Sequence, residues 1–468
     1  MRYVSTRGAA PELGFEEAML AGLARDGGLY VPKDWPEMGA AEIAALAGLP
    51  YEEVAIRVMR PFVGDAFGAA EFEGIVRRAW RGFRHVARTP LVQIGPNDWL
   101  MELFHGPTFA FKDVAMQLIG GLFEASLARS GRRLVIVGAT SGDTGSAAIE
   151  AFRGRAGVEV FILFPEGRVS EVQRRQMTTP AEPNVRALAI AGDFDDAQAR
   201  VKDLFNDHAF RDAVGLAGVN SINWARVLAQ TVYYFAAAVA LGAPGRAVSF
   251  AVPTGNFGDV FAGWVAKRMG LPIERLVIAT NQNDILHRTL AHGRHDKGAV
   301  APSISPSMDI QVSSNFERLL FELHDRDGAR VAADMAALRE AGGFALEAAA
   351  LERLRAEFDS DRASEAETRA AIAATLAETG MIVCPHTAVG LKAARSRRGD
   401  PATPMVTLAT AHPAKFPDAV EAACGRRPEA PEALAAIFGR PERAIRVPND
   451  LAAIQDVIRR EIGAEAAA

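Results

Sequence analysis

The sequence predicts an α/β protein built from two parallel-sheet-based domains with flanking helices, plus an N-terminal mainly helical domain. Three observations predict it. At 468 residues the chain exceeds what one ordinary core accommodates. From about residue 90, apolar β-branched runs alternate with helical patterns, and a second such series starts near Trp224. Ahead of both, helical spacing dominates.

The elements follow in order. Ser5-Thr6-Arg7-Gly8 reads as a polar turn, and Phe15 to Ala24 has helical spacing that stops at Arg25-Asp-Gly-Gly28. Leu29-Tyr-Val-Pro32 is a short extended piece, and helices are expected near 40–46, 51–59 and 72–83. Thr89 to Ile94 and Trp99 to Phe104 read as strands around a Gly-Pro-Asn-Asp turn. Helix, strand and helix follow at 113–129, 134–137 and 146–152, then strand, helix, strand and helix at 158–164, 169–177, 185–190 and 195–206. The second series runs through a helix from Trp224 to about Leu241, a strand at 248–252, a helix to Met269 and a strand at 276–280. Residues 330–380 are Ala, Arg and Glu at helical spacing, and Met381 to Cys384 and Met405 to Ala409 read as strands. These shifts suggest domains at 1–90, at 91–115 with 224–425, and at 116–223, with a peripheral helical tail over 426–468.

Composition narrows the function. A net charge of -5 gives no electrostatic reason for a nucleic acid or anionic membrane partner. Cys384 and Cys424 lack CxxC companions, so neither a disulfide framework nor a zinc site is expected. The N-terminus lacks an apolar signal region, and no run approaches the roughly 18–20 residues of a membrane helix. A cytoplasmic location follows as the expectation.

The chemistry concentrates in three stretches. Phe104-His-Gly-Pro-Thr-Phe-Ala-Phe-Lys112-Asp113 places a lysine among aromatic residues in a chain with only seven lysines. Two readings stand: a helix-start lysine snorkelling to solvent, or an amine whose apolar surroundings disfavour its charge and make it nucleophilic. Gly138-Ala-Thr-Ser-Gly-Asp-Thr-Gly145 and Thr254-Gly-Asn-Phe-Gly-Asp259 are glycine- and hydroxyl-rich turns between a strand and a helix. Such turns crowd N–H groups around an anion at a helix start. Neither is G-x-G-x-x-G or a Walker loop, which counts against a nicotinamide dehydrogenase or a P-loop enzyme. G-x-S-x-G and H-E-x-x-H are also absent. Two anion loops in two βα series suggest one ligand, or two touching ligands, held between domains. His386 and His412, in polar turns after apolar strands, read as structural.

Taken with Ser5-Thr6-Arg7-Gly8, Met308-Asp-Ile-Gln-Val-Ser-Ser-Asn-Phe-Glu-Arg318, His386-Thr-Ala-Val-Gly390 and Thr410-Ala-His-Pro-Ala-Lys-Phe416, these stretches resemble the threonine synthases of the fold-type II pyridoxal-phosphate group. The motifs occur in family order over nearly the whole chain, thinning after about residue 425. The resemblance implies a tryptophan synthase β-like fold, with pyridoxal 5'-phosphate bound by the domain at 91–115 and 224–425. It implies conversion of O-phospho-L-homoserine and water to L-threonine and phosphate, by a monomer or homodimer. Lys112 matches the lysine that carries the cofactor and moves protons. Gly255, Asn256, Phe257, Gly258 and Asp259 match its phosphate cradle, and Thr410 matches the hydroxyl facing its pyridine nitrogen. Ser141, Gly142, Asp143 and Thr144 match the loop for the substrate carboxylate. Asp143 stands where many relatives carry Asn, so its carboxylate is expected to point away or cap the helix. For the leaving phosphate, motif context offers Arg7, His105 and Lys415 as cations and Ser313 and Ser314 as neutral donors. A phospho-lyase releasing 2-oxobutyrate, ammonia and phosphate would use the same residues and is the rival activity.

Overall fold

The structure, a computed structural model, describes residues 1–140 and 142–466, with 195 and 464–466 described by backbone alone. The chain forms two compact units. The first holds Met1–Met19, Leu23–Ala115 and Ser221–Glu429; the second holds Leu20–Gly22, Met116–Asn220 and the chain from Ala430 onward.

The first unit is organised on a six-stranded sheet. Its order is Phe358–Arg362, Ile273–Thr280, Val248–Pro253, Met405–Ala409, Asp98–Glu102 and Leu91–Gly95. All neighbours are parallel except the last pair, a hairpin closed at Pro96-Asn97, where Asn97 takes a positive φ of 56°. Val248-Ser-Phe-Ala-Val-Pro253 is buried at every position, as a central parallel strand covered on both faces must be. The helix Trp224–Ala240 is buried nearly all round, and Trp224 meets Phe62 of the helix Tyr51–Val63 at 5.9 Å between ring centres. The N-terminal residues add the antiparallel pair Tyr3–Ser5 and Tyr30–Pro32.

The second unit is a five-stranded parallel sheet. Its order is Ile445–Val447, Val185–Ile190, Val158–Pro165, Leu134–Ala139 and Leu216–Ala217. Its core joins Val135, Val137, Phe161, Leu163, Leu188 and Ile190 with Ile454 and Ile458 of the helix Leu451–Ala466. Among the described residues, no helix is long and apolar enough to cross a membrane.

Three expectations change. Met381 to Cys384 is not a strand. It leads into the helix Pro385–Ser396, which replaces the turn expected at 385–390. Pro385 suits a first helical position, and Cys384 caps the helix by accepting from the Thr387 amide at 3.4 Å. Met381 and Ile382 instead pack against a core cluster that includes Leu391 and Val420. The helical stretch over 330–380 is interrupted by the edge strand Phe358–Arg362, too short and polar to announce itself. The region after 430 is not a peripheral tail. Ile445–Val447 pairs in register with Leu188–Ile190, and Ile454 and Ile458, spaced for one helix face, are fully buried.

Candidate active site

In the first unit the strands Val248–Pro253, Met405–Ala409 and Asp98–Glu102 lie side by side and parallel, so the loops after them leave the same edge of the sheet. Ligands in such sheets bind at the carboxyl ends of strands. Two of these loops are stitched together by backbone. The Leu103 amide donates to Ala409 at 3.0 Å, the Phe111 amide to Thr410 at 2.8 Å, and the His412 amide to Phe109 at 3.0 Å. Lys112, the first residue of the helix Lys112–Ser130, therefore sits one residue from a direct tie to Thr410. It is buried, with Nζ 5.6 Å from the centre of the Phe111 ring. The apolar setting read from the sequence is present. The Thr410 side chain is buried as well, and among the described residues its hydroxyl has no hydrogen-bond partner.

A buried brace holds the lysine loop. Asp113 accepts from the Thr108 amide and hydroxyl, both at 2.7 Å, and Lys415 Nζ donates to the Thr108 carbonyl at 2.8 Å. Burial pushes the Asp113 carboxyl up to about 6, against the pull of the Thr108 hydroxyl and the Lys415 charge. Lys415 is fully buried inside this brace.

The third loop forms the anion cradle. Phe257 precedes the helix Gly258–Arg268 in a left-handed conformation, φ 62° and ψ -1°, with no side-chain cap. Its buried ring is pinned by Phe316 at 5.3 Å and Phe358 at 5.7 Å between ring centres. Among the described residues, no acceptor is paired with the backbone N–H groups of Gly255, Asn256, Phe257, Gly258 or Asp259. A helix start leaves some amides unpaired, but here the run begins three residues before the helix. A Cβ on Gly255 would meet the Ser307 carbonyl oxygen at 2.8 Å, so only glycine fits. Five unpaired donors around a helix N-terminus suit a phosphate. With a nucleophile-bearing loop and an unpartnered hydroxyl on the neighbouring strands, the residues fit pyridoxal 5'-phosphate.

The Asp259 side chain faces away from the cradle. One carboxylate oxygen accepts from the Tyr233 hydroxyl and, at 2.9 Å, from that of Tyr234, while the other is buried without a partner. Burial pushes this carboxyl up to about 6 as well. Asp259 can serve a phosphate only through its amide, as its charge requires.

The candidates for a second phosphate are engaged elsewhere. Arg7 forms a fork to Glu317, Nε at 3.0 Å and Nη2 at 2.9 Å, and His105 Nε2 lies 2.8 Å from Glu102. The Ser313 hydroxyl donates to the Gly255 carbonyl at 2.7 Å and that of Ser314 lies 3.4 Å from Asn256 Oδ1. Sequence reading did not single out Asn315, Arg318, Tyr233 or Tyr234. Their roles come from contacts that no local pattern announces, although Asn315 and Arg318 stand within a motif already noted.

In the second unit the loop after Leu134–Ala139 leads into the helix Asp143–Phe152. Ser141 lies outside the described residues. The Gly142 and Gly145 amides both donate to Thr140 Oγ1 at 2.9 Å, and Gly142 has φ 142°. Asp143 is buried, and its Oδ1 accepts from Gln173 Nε2 at 3.0 Å. One of its carboxylate oxygens thus meets the neighbouring helix Glu171–Thr178. Thr144 occupies the first turn.

Comparison with known proteins agrees along the length of the chain. Residues 2–80 match the family model "Threonine synthase N terminus", 83–342 "Pyridoxal-phosphate dependent enzyme", and 387–458 "Threonine synthase, C-terminal". The chain is 54% identical to a threonine synthase of Pseudomonas aeruginosa over 97% of both chains. A crystal structure of pyridoxal-phosphate-bound threonine synthase from Brucella melitensis superposes with a TM-score of 0.96 at 57% identity, covering 98% of this chain and 99% of that one. Yeast threonine synthase gives 0.93 at 39% identity, covering 99% of both.

Proposed function

Because this chain belongs to the threonine synthase family of fold-type II pyridoxal-phosphate enzymes, we infer that it converts O-phospho-L-homoserine and water to L-threonine and phosphate, the last step of threonine biosynthesis. The observation that carries this is the placement of Lys112, Thr410 and the five unpaired amides of 255–259 at the ends of adjacent parallel strands. When bound, pyridoxal 5'-phosphate supplies an electron sink for charge that develops at the substrate's Cα and Cβ.

The chain's own residues supply the rest. The amides of 255–259 hold the cofactor phosphate. Lys112 Nζ would hold the cofactor before substrate binds and, once freed by the substrate amine, would take the proton from substrate Cα and move protons at Cβ as base and acid. The Thr410 hydroxyl, a neutral group, would face the pyridine nitrogen, an arrangement that would favour elimination and replacement over long-lived carbanion storage. The 141–144 loop receives the substrate carboxylate. For the leaving phosphate we carry Arg7 forward. Its side chain is 21% exposed, and its partner Glu317 also accepts from Thr6 Oγ1 at 2.7 Å. The enzyme acts in the cytoplasm on this small substrate as a monomer or homodimer.

Product analysis with O-phospho-L-homoserine tests the activity. Threonine and phosphate in equal amounts are expected. Release of 2-oxobutyrate and ammonia with phosphate, and no threonine, would overturn it in favour of the phospho-lyase.

A further inference from the structure

A cradle of amides works only if its peptide planes are aimed, and a peptide plane is rigid. The C=O of one residue and the N–H of the next lie in one plane and point in opposite directions. Whatever grips a carbonyl on the back of the loop therefore sets the direction of the following amide on its front. In the 255–259 loop, three successive carbonyls are gripped. The Gly255 carbonyl accepts from Ser313 Oγ at 2.7 Å, which aims the Asn256 amide. The Asn256 carbonyl accepts from the Asn315 backbone amide at 3.1 Å and from Asn315 Nδ2 at 3.0 Å, which aims the Phe257 amide. The Phe257 carbonyl accepts the first helical bond, from Phe261 at 3.0 Å, which aims the Gly258 amide. The helix provides the last of these grips unaided. The first two come from one segment more than fifty residues further along the chain.

Asn315 is itself oriented. Nδ2 also donates to the Ser221 carbonyl at 3.1 Å, while Oδ1 accepts from Arg318 Nη1. With two carbonyls on one side and a guanidinium on the other, only one orientation of the side-chain amide satisfies the network. Arg318 is fully buried and holds its place by donating to the Tyr30 carbonyl at 3.1 Å and the Ile222 carbonyl at 2.6 Å. Among the described residues no carboxylate forms an ion pair with it, and its hydrogen bonds go to amide oxygens.

We propose that Ser313 and Asn315 are positioning residues that aim the cradle amides at the cofactor phosphate, and that Arg318 holds Asn315 in the required orientation. The proposal rests on the reading that the 255–259 loop holds that phosphate. It gives Ser313 a role different from that of a donor to the substrate: its proton is committed to the back of the cradle.

The discriminating measurement is affinity for pyridoxal 5'-phosphate against affinity for pyridoxal, which lacks the phosphate. Both are titrated by absorbance into cofactor-depleted wild type, Ser313→Ala and Asn315→Ala. In each variant the dissociation constant for pyridoxal 5'-phosphate should rise about fivefold or more, the worth of one lost hydrogen bond. That for pyridoxal should stay within about twofold, well inside the effect of one hydrogen bond. A phosphate-selective loss is something a merely structural role would not produce. Unchanged pyridoxal 5'-phosphate affinity in Ser313→Ala, or equal weakening of both ligands, overturns the proposal. If Asn315→Ala leaves Arg318 too poorly satisfied to fold, Ser313→Ala decides alone. Wild type binding pyridoxal as tightly as pyridoxal 5'-phosphate would instead overturn the assignment of the cradle itself.

Discussion

Phe257 offers a direct measurement of the backbone strain stored in the cradle. It is a bulky residue in a left-handed conformation, φ 62° and ψ -1°, kept there by a buried ring against Phe316 and Phe358. Removing the ring by Phe257→Ala forfeits burial and leaves a cavity, at roughly 3–5 kcal/mol. Alanine in that conformation still pays about 1–2 kcal/mol for its Cβ. Phe257→Gly loses the same ring and cavity but escapes the Cβ penalty. Its extra cost is backbone entropy in the unfolded chain, about 0.5–1 kcal/mol. The balance makes the glycine variant the more stable by about 0.5–1 kcal/mol, the reverse of the order in an ordinary helix or strand. Urea unfolding of the two cofactor-free variants at neutral pH, compared by midpoint at equal slope, reads the difference. An alanine variant as stable as the glycine variant, or more so, would refute the claim that the loop is held against a conformational preference.

Other outcomes follow from the site. Lys112→Ala should abolish turnover and the cofactor absorbance near the visible–ultraviolet border, and persistence of that band in the purified variant would remove Lys112 from its role. Arg7→Ala should raise KM for O-phospho-L-homoserine about tenfold or more, the worth of a charge-assisted bond; unchanged KM and turnover would drop Arg7 from the phosphate site. His295 is buried against Phe316 and bonded to Thr289 Oγ1 at 2.8 Å, and burial pushes its pKa down from 6.5 to about 4. A depressed folded-state value means that its contribution is full above pH 6.5 and is lost as pH falls toward 4, by about 3 kcal/mol. His295→Phe should therefore lose about 3 kcal/mol less stability than wild type over that interval. Asp113 and Asp259, raised to about 6, act with the opposite sign in the same window, but they are common to both proteins and cancel in the comparison. Parallel stability–pH curves for the two proteins would refute the assignment.

What could be read in advance follows from how local the cause is. Met405–Ala409 and Val248–Pro253 were legible because a buried parallel strand is an apolar run that ends at a turn, and both signals lie within a few residues. Trp224–Ala240 was legible by its length and period. Met381 to Cys384 misled because an apolar run before a proline-started helix looks like a strand until something else occupies the strand's place. Ile445–Val447 stayed hidden in a Pro- and Ala-rich stretch because three residues carry no period, and only Val185–Ile190 gives them a partner. The Arg7–Glu317 fork joins residues 310 positions apart, so no spacing rule could announce the partner that Arg7 holds in the fold.

Lys112 and Lys415 sharpen the same point within one pair of stitched loops. Both are lysines in aromatic, low-dielectric surroundings, and both are buried. Sequence context offered Lys112 as a nucleophilic amine and Lys415 as a cation for the leaving phosphate. Their jobs separate on the neighbours that tertiary structure brings. Lys415 donates to the Thr108 carbonyl and its charge reaches the buried Asp113, so it completes a brace that includes the residue next to Lys112. Removing a partner from such a buried set leaves an uncompensated charge, which is why the brace resists rearrangement. Lys112 instead starts a helix at the carboxyl edge of the sheet, its loop tied to Thr410 and one strand removed from the loop of aimed amides. The brace thus supports the loop of Lys112 from a second lysine. The cradle repeats the solution: Ser313 and Asn315 grip its carbonyls so that its amides remain available. In both places a loop is fixed by bonds made behind it, and the Lys415, Ser313 and Asn315 bonds come from residues distant in sequence.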